Sequence, residues 1–225
     1  MSIIRTFVVT AAVLATPPTL AADHGISLSA GTFQNSDEQY QLFSQGYHMV
    51  QIGLRGSYAI HERVSLIGSV NTHRRGKEVF PSDDNSGQAT FATAFSASTL
   101  GLGVKADIQP IKCLQVYVAG QALAYHATMR FDDDANSRTN AGQVQSSAFS
   151  GGLEATAGLE LKVHPRKLPV SFGWYNEFGV GAIANHSFKG AKSVNSAEDS
   201  FASDADLGDM APGGFVFRSG LGVRF

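Results

Sequence analysis

The residues able to do chemistry in this 225-residue chain fall into three short stretches and one scattered set. "FDDDANS", residues 131–137, places Asp132, Asp134 and Asn136 at the spacing that opens a calcium-binding loop. Such a loop needs a glycine next and a glutamate at its twelfth position. Ser137 and Gln143 stand there instead, so the stretch reads as a solvated loop tip. "NHSF" offers a base and a hydroxyl in His186 and Ser187, but adjacent residues of an extended chain point to opposite faces. "HRRGK", residues 73–77, is the one basic loop segment; it could touch anionic phosphates or a polyanionic surface, with a plain solvated loop as the simpler reading. The scattered set is Arg55, Glu154, Glu177 and Arg218, joined by Lys105, Asp107, Glu160, Lys162 and Arg224. These are single charges inside otherwise apolar stretches, and a buried charge needs a partner.

The elements that carry the scattered charges are read from periodicity. Residues 50–60 put Val50, Ile52, Leu54, Tyr58 and Ile60 on one face and Gln51, Gly53, Arg55, Ser57 and Ala59 on the other. A helix would mix those two sets; a strand separates them. The same alternation recurs over residues 64–70, 98–108, from Leu114 onward, 149–163 and 170–184, with a weaker opening strand at Ile26, Leu28 and Ala30. The ending, "GGFVFRSGLGVRF", alternates too: Phe215, Phe217, Ser219, Leu221, Val223 and Phe225 against Val216, Arg218, Gly220, Gly222 and Arg224. Eight strands result. Their order predicts that Glu177 and Arg218 lie at one level on the same face, with Arg55 midway along its strand.

Connections alternate as well. Short ones fall near 61–63, 109–113 and 164–169; long ones, rich in Asp, Asn, Ser and Gly, fall near 34–46, 71–92, 130–147 and 186–213. This is the asymmetry of a membrane barrel, with tight turns on one side and long loops on the other. Each clear strand offers five or six apolar positions on one face, enough to cover an apolar band of about 25 Å when tilted. A soluble β-sandwich also alternates, but its strands are seldom so long. Eight strands enclose an interior that side chains just fill, and Tyr117, Tyr125 and Tyr175 beside the charges predict a closed one. The fold class is therefore an all-β, eight-stranded antiparallel up-and-down transmembrane β-barrel.

Totals agree. Glycine is abundant at 24 residues, charged residues make up only 16%, and formal net charge is -2, a composition that fits neither a helical membrane bundle nor a disordered chain. Lys and Arg are dispersed, so nothing asks for nucleic acid. Residues 1–22 have the layout of a signal peptide: Arg5, an apolar run from Phe7 to Ala15, then small residues at Ala21 and Ala22. Residues 23–225 would form the barrel domain. Cys113 is the only cysteine, so no internal disulfide staples the exported protein. Asp83, Asp84, Asp204, Asp206 and Asp209 make the loops acidic, able to attract divalent cations weakly and without a defined site.

With leader, strands and ending in view, the chain resembles the small eight-stranded outer-membrane barrels, the group of the OmpA transmembrane domain and the opacity-type proteins. The resemblance implies the outer membrane of a Gram-negative bacterium and export through a cleaved signal peptide; with no phosphate loop, metal-spaced histidine set or nucleophile triad in the sequence, no cofactor or metal is expected. It also implies that the terminal pattern Phe225, Val223, Leu221, Phe217 and Phe215 is read by the barrel-assembly machinery, Ser219 being a departure. The further periplasmic domain of many OmpA relatives is not expected. "NHSF" is similar to part of the site of outer-membrane lipid A deacylases, but those place His and Ser two apart on one outward face beside a carboxylate. The expected role is structural or surface-interacting (adhesion or recognition through long loops), without enzyme activity, as a monomer among outer-membrane lipids and lipopolysaccharide. A narrow pore for small solutes is the alternative, and a lipid A-modifying enzyme the third reading. In small barrels of this kind such charges form ion-pair networks: a structural plug, or a gate if partners exchange.

Overall fold

The computed structural model describes residues 24–37, 48–75, 78–81, 90–110, 113–132, 143–165, 168–188, 192–193 and 208–225. Among these residues twelve strands follow in chain order: β1 Gly25–Gln34, β2 His48–His61, β3 Val64–Arg74, β4 Glu78–Pro81, β5 Thr90–Pro110, β6 Leu114–Asp132, β7 Gln143–Val163, β8 Ser171–Ile183, β9 His186–Ser187, β10 Lys192–Ser193, β11 Asp209–Met210 and β12 Gly213–Arg224. Eight of them, β1, β2, β3, β5, β6, β7, β8 and β12, pair antiparallel in sequence. β7 pairs with β8, β8 with β12, and β12 with β1, so the sheet closes on itself. The closing seam sets Ile26 opposite Val223 and is extended by two backbone bonds between His24 and Phe225. Closure leaves the spanning strands without free edges, the condition for a sheet in lipid.

Alternation sorts the faces as the sequence predicts. Leu28, Ile52, Leu102, Leu153, Phe178 and Leu221 are 55–69% exposed, and Val104, Leu159 and Val180 on the same outer face are exposed as well. Exposed apolar side chains on every barrel strand form a belt that water would not tolerate and hydrocarbon would. The interior holds the opposite set: Arg55, Lys105, Glu154, Glu160, Glu177 and Arg218 are all at most 8% exposed. Inward glycines make room for two of the interior tyrosine rings. Tyr117 lies directly across from Gly158, and Tyr175 across from Gly220; a Cβ at either glycine would come within 2.6 Å of the tyrosine ring.

Three strands exceed the sequence expectation. β5, β6 and β7 run 21, 19 and 21 residues, roughly 60–70 Å of chain at ~3.3 Å per residue, whereas about 9–11 residues suffice to span. Their outward faces change character partway. In β5 the series Ile108, Ala106, Val104, Leu102, Leu100 gives way to Ser98 and Ser96; in β6, Ala122 and Ala124 give way to His126, Thr128 and Arg130. Beyond the belt these strands continue as a wall, with β4 paired along β5 and β10 along β7. The regions read as loops near 71–92 and 130–147 are accordingly shorter: "HRRGK" begins inside β3, and His73 is buried. Small, polar outward residues such as Ser96 and Thr128 hid these extensions from a search for apolar alternation.

Candidate functional site: a two-tier barrel interior

Near the end that holds the short turns, His24 and Phe225, the interior is ionic. Arg224, from β12, donates from Nε and Nη2 to the two carboxylate oxygens of Glu160 at 3.0 and 2.6 Å, and from Nη1 to Ser57 Oγ at 2.6 Å. Lys105 Nζ lies 3.4 Å from Asp107 and 3.8 Å from Glu160, over the Tyr117 ring at 4.8 Å. Midway up, the four residues singled out from the sequence meet. Arg55, from β2, forks onto Glu177, from β8, at 2.5 and 2.8 Å. Arg218 forks onto Glu154, with the Nη1 to Oε1 bond at 2.7 Å, and its Nη1 also lies 3.5 Å from Glu177. Strand register explains the last contact: Arg218 and Glu177 are direct cross-strand partners.

Neutral groups complete this tier. Tyr117 Oη donates to Glu177 at 3.1 Å. Gln121 Nε2 donates to Glu154 at 2.9 Å, and Ser69 Oγ donates to the Gln121 carbonyl oxygen at 2.7 Å. Tyr175 faces the Arg55 guanidinium at 5.7 Å. Bidentate arginine-carboxylate pairs with added donors are the arrangement in which buried charges hold one another. Sequence reasoning found the charges but not the roles of Gln121 and Ser69; the polarity of Gln121 among the small residues of β6 was the available signal.

Toward the other end the interior becomes apolar. Phe33, Met49, Phe95, Ala97, Leu123, Tyr125, Ala127, Met129, Ala148, Ile183 and Val216 form one buried cluster with Phe188 and Met210. The last two arrive from the connection between β8 and β12. There β9 pairs with β11, Phe188 N donates to Gly208 O, and Ala211 N donates to Asp37 Oδ2 at 2.6 Å, so residues 186–188 and 208–211 are folded into the barrel mouth. This apolar tier was not read from the sequence, because its residues lie on the face expected to be polar.

The other sequence candidates are dispersed. Ser187 Oγ donates to Asp209, and His186 is turned away from it, 5.5 Å from the Tyr125 ring and 5.1 Å from Phe188. Burial lowers the His186 pKa from its ordinary 6.5, against smaller opposing contributions from the Ala184 carbonyl, Asp37 and Asp209. On the outer wall His126 packs on Phe149 at 4.4 Å. Among the described residues no group of His, Cys, Asp and Glu could hold a metal. Asp134, Asn136, Asp83, Asp84, Asp204 and Asp206 lie outside the described residues, as do residues 1–22, expected from the sequence to be a signal peptide. Phe215, Phe217, Leu221, Val223 and Phe225 all face outward. Ser219, the departure in that pattern, accepts a 3.0 Å hydrogen bond from the Trp174 indole on the same outer face, which satisfies both polar groups where lipid offers no partner.

Comparisons with known proteins add likenesses of shape. No family profile and no curated protein sequence matches the chain. Among solved structures it is similar to Ail, the attachment invasion locus protein of Yersinia pestis, at 17% identity and a TM-score of 0.48, covering 91% of this chain and 99% of that one. It is also similar to a major outer membrane protein of Thermus thermophilus, at 13% identity and 0.47, covering 91% and 100%, and to CarO of Acinetobacter baumannii, at 13% and 0.33, covering 93% and 99%. These scores are low, and the assignment stands on the molecule itself. A closed ring of eight antiparallel strands, apolar outside and salt-bridged within, makes this chain a small transmembrane β-barrel of the outer-membrane type.

Proposed function

We propose that the barrel is an anchor with a lumen closed to solutes, and that its protruding wall and long loops form an interaction surface outside the cell, without catalysis. The observation that carries this reading is the convergence on Glu177, a fully buried carboxylate held by Arg55 from β2 and Tyr117 from β6. Side chains from widely separated strands thus meet across the interior. The wall of β5, β6 and β7 supplies rigid height for recognition beyond the lipid, where loops on a scaffold usually carry function. In the same reading the chain is exported by a cleaved leader, and its outward terminal aromatics serve assembly in a Gram-negative outer membrane. It works as a monomer amid lipopolysaccharide.

A narrow pore is the second reading. It is favoured by Arg218 lying between two carboxylates, Glu154 and Glu177, so that partner exchange is geometrically available. A lipid-modifying site finds less support, since Ser187 is engaged by Asp209 rather than by His186. The surface reading is tested by whole-cell binding to host or abiotic surfaces, comparing intact protein with versions lacking residues 82–89, 133–142 or 194–207. Loss of binding at unchanged surface levels supports it; equal binding by cells that carry and cells that lack the protein overturns it.

A further inference from the structure

Between the two tiers one inward row crosses four strands: Arg218 on β12 is paired with Gly31 on β1, Gly31 with Gln51 on β2, and Gln51 with His73 on β3. Gly31 contributes no side chain, and beyond His73 the row continues as Ala97 and Ala127. Gln51, His73 and Arg218 are 1%, 4% and 2% exposed. Yet both amide atoms of Gln51, both ring nitrogens of His73 and the Nε of Arg218 have no hydrogen-bond partner among the described residues. Phe33 packs edge-on against His73 at 5.5 Å, and Tyr125 tilts over it at 6.5 Å, so aromatic rings roof the row from the apolar tier.

Five buried, unpaired polar atoms on one inward row run against the rule that interior donors and acceptors are paired. Leaving them bare would cost far more than ordering a small molecule to bridge them. We infer that Gln51, His73 and Arg218 form an internal water-binding site at the boundary between the ionic and apolar tiers. The donor set selects water. A neutral imidazole presents one donor and one acceptor, the Gln51 amide presents two donors and an acceptor, and Arg218 Nε presents one donor. A ligand must therefore both give and accept hydrogen bonds, and a buried water makes about three such bonds. An anion would face the Gln51 oxygen and an unprotonated ring nitrogen, and would add charge beside Glu154 and Glu177, whose charges Arg55 and Arg218 already balance.

The test uses the folded protein in lipid nanodiscs. Water-selective NMR of the wild type is expected to show cross-relaxation from long-lived water to the Gln51 side-chain amide protons; its absence, with those protons assigned, overturns the inference. His73→Phe and Gln51→Leu are then compared by urea unfolding. With water bound, each single change lowers the unfolding midpoint by stranding the others, and the double change lowers it by less than the sum. In a dry row each change removes an unpaired polar group and raises the midpoint, which contradicts the site. Replacing sulfate by chloride at constant ionic strength is expected to leave the Gln51 and His73 resonances unmoved; a saturable chloride shift would make this an anion site and overturn the inference.

Discussion

Below the row of Gln51 and His73 the barrel interior is built from forked arginine-carboxylate pairs; above it, largely from Phe, Met and Ala. The lower tier lies within the belt, where all eight strands pair around the full circle. The upper tier begins where the ring is still closed, at Phe33, Met49 and Val216, and extends onto the prolonged β5, β6 and β7, at Met129 and Ala148; residues 186–188 and 208–211 help to cover it. The difference follows from what surrounds each tier. Inside the closed ring, lipid faces the outer wall and charges can be paired across a short span with fixed register. Along the prolonged β5, β6 and β7 the described residues do not close a circle, and the inner face there is covered by apolar contact, as in a soluble domain. Lower-tier changes should therefore act on the whole barrel, and upper-tier changes on the cap.

The largest effect is expected at Glu177. Glu177→Ala leaves Arg55 stranded and removes the acceptor of Tyr117 and a neighbour of Arg218, a loss of about 3–5 kcal/mol. Urea unfolding in vesicles, with heat-modifiable gel migration as a check of folding, measures it. A loss under about 1 kcal/mol would mean that water reaches this tier freely and screens it like a surface pair. Next comes the cap: Met210→Ala should cost about 2–3 kcal/mol, read as faster proteolysis within residues 186–211 while the β-barrel gel shift is retained. If the barrel unfolds together with the cap, the two tiers are one cooperative unit and the comparison fails.

Acid sharpens the contrast. Burial holds the His186 pKa below its ordinary 6.5, so the docked cap binds fewer protons than the released one. The His186 contribution is complete above about pH 6.5 and declines as pH falls through that value toward the lower folded pKa. Proteolytic protection of the cap should fall over the same interval, and His186→Phe should flatten the profile. The smallest effect concerns neither tier but the outer face. Ser219→Ala deprives the Trp174 indole of its acceptor, at a cost near the ~0.6 kcal/mol typical of hydrogen bonds in membrane proteins. A shift in Trp174 fluorescence would report it.

Much of the fold was legible because lipid and lumen impose a two-residue period on every spanning strand. The pairing of Glu177 with Arg218 follows from counting along β8 and β12, and the outward set Phe215, Phe217, Leu221, Val223 and Phe225 from the same period. Partner choice was not legible. Arg218 forks onto Glu154, on β7, rather than onto its cross-strand neighbour, because side chains reach across an interior whose dimensions depend on shear. The wall was hidden because Ser96, Ser98, Thr128 and Ser147 face water on one side while Phe95, Ala97, Ala127 and Ala148 face a core, the reverse of the polarity that identifies spanning strands. The surroundings of His186 were not legible for a related reason: the ring of Tyr125, which lies 5.5 Å from it, comes from β6, far away in the chain.

The central claim, that side chains meeting across both tiers close the lumen, is most directly tested by conductance of the purified, folded barrel in planar bilayers. The account predicts no sustained channel steps from wild-type protein at moderate voltage and neutral pH. Stable, reproducible ion channels from protein shown to be folded would contradict it.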